Sequence, residues 1–95
     1  MAVVVQTLVP RASRAEADQL DASIEAALSE MGGPPAGLMM HLVRPEEDGF
    51  LLCDVWRSEV EARAFYDEVI LPRLTKMGHE PDVRSIAPVW SFARP

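Results

Sequence analysis

The 95-residue sequence has one cysteine, one lysine and two histidines, with two tryptophans, one tyrosine and three phenylalanines for aromatics. Each scarcity removes a class of explanation. Cys53 has no partner for an internal disulfide and suits a reducing compartment. Lys76 is the only lysine, and the arginines are scattered from Arg11 to Arg94 in a chain of net charge −6. Neutralising phosphates needs clustered bases, so no nucleic-acid partner is expected. No stretch reaches the roughly 18 apolar residues of a membrane span, so no membrane partner is expected either. Met1 to Leu8 has no basic leader, and Gln6 and Thr7 interrupt its short apolar run. It does not read as a signal peptide, and a cytoplasmic location is expected.

Two isolated histidines and a lone cysteine offer no metal-ligand spacing, so no metal site is expected. G-x-G-x-x-G, Walker and G-x-S-x-G motifs are all absent. Neither nucleotide, flavin nor serine-hydrolase chemistry has support, and the expected cofactor is none. What remains is ordinary globular material, 48% hydrophobic and 25% charged. A chain this apolar offsets its ordering entropy by burial. Its length fits a single domain over residues 1–95.

Residues 2–9 are dense in β-branched side chains and read as a strand that Pro10 ends. Ser13-Arg14-Ala15-Glu16 has capping-box form. Leu20, Ile24, Ala27, Leu28 and Met31 then recur at helical spacing until Gly32-Gly33-Pro34-Pro35 stops the helix. Leu38–Val43 and Phe50–Trp56 read as a hairpin around the turn chemistry of Arg44 to Gly49. Ser58-Glu59-Val60-Glu61 repeats the capping pattern before a helix with Ala62, Phe65, Tyr66, Val69, Leu74 and Met77 on its apolar face. Pro72 inside that helix predicts a kink near Val69–Pro72, and Gly78 ends it. A fourth strand is expected over about Val83 to Phe92, at an edge or with a bulge because of Pro88.

The fold class is therefore α+β, in the order βαββαβ. Right-handed crossovers put both helices on one face of an antiparallel sheet. Val3-Val4-Val5, Leu38-Met39-Met40 and Leu51-Leu52-Cys53 carry apolar side chains on both faces. The face without helices would expose more apolar surface than a soluble monomer usually does. Pairing of that face with a second copy is the simplest remedy, so a homodimer is expected.

The order of elements, Asp54-Val55-Trp56-Arg57-Ser58 at the end of the third strand, and the following Glu-x-x-Ala-x-Ala-Phe-Tyr helix together resemble the dimeric α+β barrel superfamily. The nearest resemblance is to its antibiotic-biosynthesis-monooxygenase-like group, where a Val-Trp-x-Ser segment leads into the second helix. The topology covers nearly the whole chain, and the motif only about residues 49–78. The resemblance implies a ferredoxin-like sheet, a shared barrel in a dimer, and a cavity between sheet and helices that Trp56 lines. Members include cofactor-free oxygenases of polycyclic aromatics, haem-degrading enzymes, lactone isomerases and polyketide cyclases. Fold analogy of this kind does not establish chemistry. The haem branch requires a histidine on the second helix. None lies between Ser58 and Met77, which speaks against haem.

The polar candidates each have a structural reading beside the functional one. His41 is either a general base lining the cavity or a rim histidine with one satisfied hydrogen bond. Asp54 shares a strand face with Phe50, Leu52 and Trp56. It is either an acid or base with a raised pKa or a strand-end carboxylate paired with an arginine such as Arg57. Tyr66 donates its phenol to a substrate or to solvent. These three form the expected catalytic set. Trp56 offers a flat stacking surface or plain core packing. Gln6, on the face of Val4 and Leu8, needs a polar partner if buried. Phe65 reads first as core, and Met40 belongs to a methionine complement suited to an adaptable pocket. Trp56, Gln6, Phe65 and Met40 are the expected substrate-binding set. The function expected is a cofactor-independent enzyme, monooxygenase-like or an isomerase or cyclase, acting on a hydrophobic aromatic or polyketide-like small molecule. The alternative is a non-catalytic ligand-binding or assembly module of the same fold.

Overall fold

Along strand β1, Val3–Pro10, buried and half-buried side chains alternate without a break, the period of two that a pleated strand imposes. The structure, a computed structural model, describes residues 1–92. Helix α1 (Arg14–Glu30), strands β2 (Leu38–Glu46) and β3 (Gly49–Trp56), helix α2 (Glu59–Phe65), a π-helical turn (Tyr66–Ile70), helix α3 (Leu71–Lys76) and strand β4 (Asp82–Pro88) follow. The order is the expected βαββαβ, with the second helix in three pieces. The strands form one sheet in the order β2-β3-β1-β4, and every neighbouring pair is antiparallel.

Register decides which residues share a face. Val3, Val5, Thr7 and Val9 stand opposite Trp56, Asp54, Leu52 and Phe50, and all of these are buried. They meet Ala17, Leu20, Ile24 and Ala27 of α1, and Ala62, Phe65, Val69, Ile70 and Leu74 of the second helical run. The other face carries Val4, Gln6 and Leu8 opposite Val55, Cys53 and Leu51. Leu51 and Val55 are buried yet stand outside that core, and Leu42 beside them is exposed. No helix among the described residues is long and apolar enough to cross a membrane.

Helix termini follow local chemistry. Ser13 and Glu16 form the complete capping box, Glu16 N–H donating to Ser13 Oγ at 3.2 Å and Ser13 N–H to Glu16 Oε1 at 3.1 Å. At the second start only half of that box forms. Glu61 N–H reaches Ser58 Oγ at 3.3 Å, but the Glu61 carboxylate is taken by Arg57 and by the Ser58 hydroxyl.

The expected break in the second helix begins at Tyr66, before Pro72. Pro72 has no N–H to give the preceding turn. Leu71 N–H instead donates to Tyr66 O, the five-residue step of a π turn. Arg73 braces the distortion, donating Nη1 to Val69 O at 3.0 Å and Nε to Ser23 O of α1 at 3.3 Å.

Both edge strands differ from their expected lengths. β2 continues past Val43 to Glu46, pairing Pro45 with Phe50, which an edge strand tolerates. β4 stops at Pro88 where a strand to Phe92 was expected. It lies at the edge and also contains a bulge, because Gln6 and Thr7 pair with Ser85 and Val83 and pass over Arg84.

Candidate active site

The site begins with an irregularity in β2. Leu38 stands opposite Trp56 and Met40 opposite Val55, so Met39 has no counterpart on β3. Beyond this bulge His41 faces Asp54 and Val43 faces Leu52. The extra residue turns His41 toward the helices and Met40 away from them.

His41 is held between two carboxylates. Its Nδ1 is hydrogen-bonded to Asp54 Oδ1, and its Nε2 lies 3.2 Å from Asp21 Oδ1 on α1. With an acceptor at each nitrogen, the ring donates from both and is an imidazolium. The Asp54 hydrogen bond pushes its pKa up from 6.5 to about 9, against the opposing effect of burial. The Asp54 charge and the Asp21 contact add to the rise. This differs from a base that titrates near neutrality. At pH 7 the ring can donate a proton or stabilise a negative oxygen, and it accepts a proton only after losing one.

The two carboxylates are unlike. The Asp54 side chain is 11% exposed and that of Asp21 46%. Asp54 pairs with His41, whereas Arg57, its other foreseeable partner, binds Glu61. Asp21 was not singled out by sequence reasoning, although one signal was there. It continues the helical row of Ala17, Ile24 and Leu28, where an acidic group among apolar neighbours calls for a partner.

Two spaces meet at this pair. An open cleft of about 560 Å³ runs between α1 and the β2–β3 edge. His41, Asp21, Arg14 and Asp18 line it with apolar Leu42, Val43, Pro45 and Phe50. On the other side of Asp54, toward α2, a void of about 10 Å³ lies among Trp56, Phe65, Tyr66, Val5 and Leu52. Such a void holds about one water molecule. Trp56 is 2% exposed and packs on Phe65, ring centroids 5.1 Å apart and planes tilted by 47°. That geometry is favourable aromatic contact. Burial, followed by the charge of Asp67, pushes the Tyr66 phenol above its ordinary value.

The structure thus joins His41 to Asp54, and groups Asp54 with Trp56, Phe65 and Tyr66. It does not bring Gln6 and Met40 to them. Both belong to the sheet face without helices, where Ser85 Oγ lies 3.5 Å from Gln6 Oε1. Within one chain they do not line the helix-side site. The second histidine, His79, is bonded to Glu16, the capping residue of α1. That contact, ahead of the one from Ser13, holds the Glu16 carboxyl below its usual range. His79 ties the end of the second helical run to the start of α1. Among the described residues no group of three His, Cys, Asp or Glu side chains could hold a metal ion.

No protein-family model and no curated protein matches the chain. Solved structures do. A variant of SnoaB, a cofactor-independent oxygenase from Streptomyces nogalater, aligns over 96% of this chain and 94% of its own, with TM-score 0.62 and 15% identity. A candidate antibiotic biosynthesis monooxygenase from Deinococcus radiodurans aligns over 100% and 98%, with TM-score 0.58 and 16% identity. SnoaB itself aligns over 94% and 95%, with TM-score 0.54 and 18% identity. At such identities the likeness speaks for architecture, and chemistry must be argued from the site. This chain has the ferredoxin-like α+β fold of these antibiotic biosynthesis monooxygenase-like structures.

Proposed function

We propose that the protein is an acid–base enzyme, cofactor-independent and monooxygenase-like or an isomerase or cyclase, acting on a hydrophobic aromatic or polyketide-like small molecule. The observation that carries this reading is the His41 imidazolium, backed by buried Asp54 and lining a cleft whose walls are part charged and part apolar. The cleft's volume is in the range of small-molecule sites. Oxygenation, isomerisation and cyclisation of such compounds share a step in which charge develops on a carbonyl or phenol oxygen. A fixed cationic donor stabilises that charge without reorganising at the moment of reaction. Asp54 holds the ring in place and keeps it charged. Trp56, Phe65 and Tyr66 form an aromatic wall behind Asp54 that a ligand reaches only if the second helical run moves outward.

Two copies would pair through the face of Val4, Leu8, Met40, Leu51 and Val55, leaving each cleft on the outside of its own sheet. A non-catalytic binding module is the second reading. It is favoured by the space between the sheet and the second helical run, which in this conformation has no room for a substrate. Incubation with a panel of hydroxylated polycyclic aromatics, in air and under nitrogen, separates the two when products are followed by mass spectrometry. A product formed by the native protein and lost in His41→Gln supports the enzyme. Ligand binding without turnover across the panel favours the module.

A further inference from the structure

The two partners of His41 differ in a way that the proposed chemistry does not use. Asp54 is buried and close, whereas Asp21 reaches Nε2 from a half-exposed position at 3.2 Å. That is longer than the roughly 2.7–2.9 Å of a tight charge-assisted bond. Asp21 and His41 both line the cleft, so their contact lies where a ligand would sit.

The other cations at the cleft are already engaged. Arg14 pairs with Asp18 at 3.2 Å and Arg44 with Glu46 at 2.8 Å. His41, at 30% exposure, is the most sheltered of these cations, and its contact with Asp21 is no tighter than that of Arg14 with Asp18. We propose that Asp21 is a displaceable plug, occupying on His41 Nε2 the position that an anionic oxygen of the ligand takes. This rests on the cleft being the ligand site, and it assigns that ligand a class: a flat apolar body bearing a carboxylate, phenolate or enolate oxygen. A neutral carbonyl replaces the carboxylate poorly, because hydrogen bonds between ions are roughly twice as strong as neutral ones. An oxyanion exchanges like for like, while its rings rest on Val43, Pro45 and Phe50. Asp21 is then a specificity-determining residue that keeps His41 paired until an anion arrives.

The test compares 2-naphthoate with its neutral relative 2-acetylnaphthalene, binding measured by calorimetry at pH 7. Asp21→Asn preserves size and removes the competing charge. The expected gain in naphthoate affinity is about tenfold, equivalent to about 1.4 kcal/mol, with under about twofold change for the ketone. Glu25→Gln removes a charge one turn along α1 from an exposed position outside the cleft, and should change neither. His41→Gln should abolish the preference for the anion. An unchanged naphthoate affinity in Asp21→Asn, or an equal gain in Glu25→Gln, overturns the plug while ketone binding keeps the cleft as the site. If neither probe binds any variant, the plug and the cleft reading fall together.

Discussion

Replacing His41 by glutamine should change how stability depends on pH, and the size of the change follows from the clamp. A ring held at about 9 in the fold and at 6.5 when free favours the folded state by about 3 kcal/mol while protonated. Asp21 is half exposed and its share is screened, so about 2 kcal/mol is the expected net amount. The sign follows from the direction of the shift. The raised pKa makes the contribution complete below about pH 6.5, and it fades as the pH climbs toward about 9. Above that, folded and unfolded rings are both neutral and nothing remains. Urea denaturation of the native protein and His41→Gln, at one protein concentration from pH 6 to pH 10, isolates the effect. Other groups that titrate in this range cancel in the difference between the two proteins. That difference should fall by about 2 kcal/mol, mostly between pH 6.5 and 9. A difference flat across the whole range would refute the doubly clamped imidazolium.

Leu51→Asp, on the sheet face without helices, should convert the proposed dimer to monomers in sedimentation equilibrium. A variant that stays paired would mean that this face is not the interface. Gly49→Ala should lower stability by about 1–3 kcal/mol, because a Cβ there would come within 2.0 Å of the Val9 carbonyl oxygen across the β1–β3 pair. An alanine variant as stable as the native protein in thermal denaturation would show that the strand end shifts freely.

Much of the architecture was written in local signals. The capping residues Ser13 and Ser58, the stop at Gly32-Gly33 and the apolar period of each helix all marked real boundaries. The edges were harder because their limits are set by neighbours. Pro45 reads as turn chemistry until β3 is known to pair with it. Val89 to Phe92 read as strand, although the ladder with β1 ends at Val3 and Pro88 and one further backbone bond, Val89 N–H to Ala2 O at 2.8 Å, follows it. The break at Tyr66 was displaced from Pro72 because a missing donor is felt by the turn before it. At the site, Asp54 was legible by its parity with Trp56, and His41 by its chemistry alone. Their pairing was not, since it joins residues 13 positions apart on two strands. The Asp21 contact spans 20 positions and depends on how α1 lies across the sheet. Gln6 was assigned the right strand face, but only the pairing of β1 with β3 shows that this is the face turned away from Trp56.

The unpaired Met39 makes a single residue decide which compartment His41 addresses. A sheet of this kind has two: one enclosed by its own helices and one that a second copy would share. Were Met39 to pair with Val55 instead of bulging, the register of Leu38 with Trp56 would continue unbroken, bringing Met40 opposite Asp54 and sending His41 to the shared side. The sequence would be the same, and the hairpin could still close. The imidazolium would nevertheless vanish from the cleft, leaving Asp54 buried beside a thioether. Forming or losing a bulge in this strand is thus a minimal step by which a lineage could move a charged group between an internal pocket and the opposite sheet face while conserving every side chain.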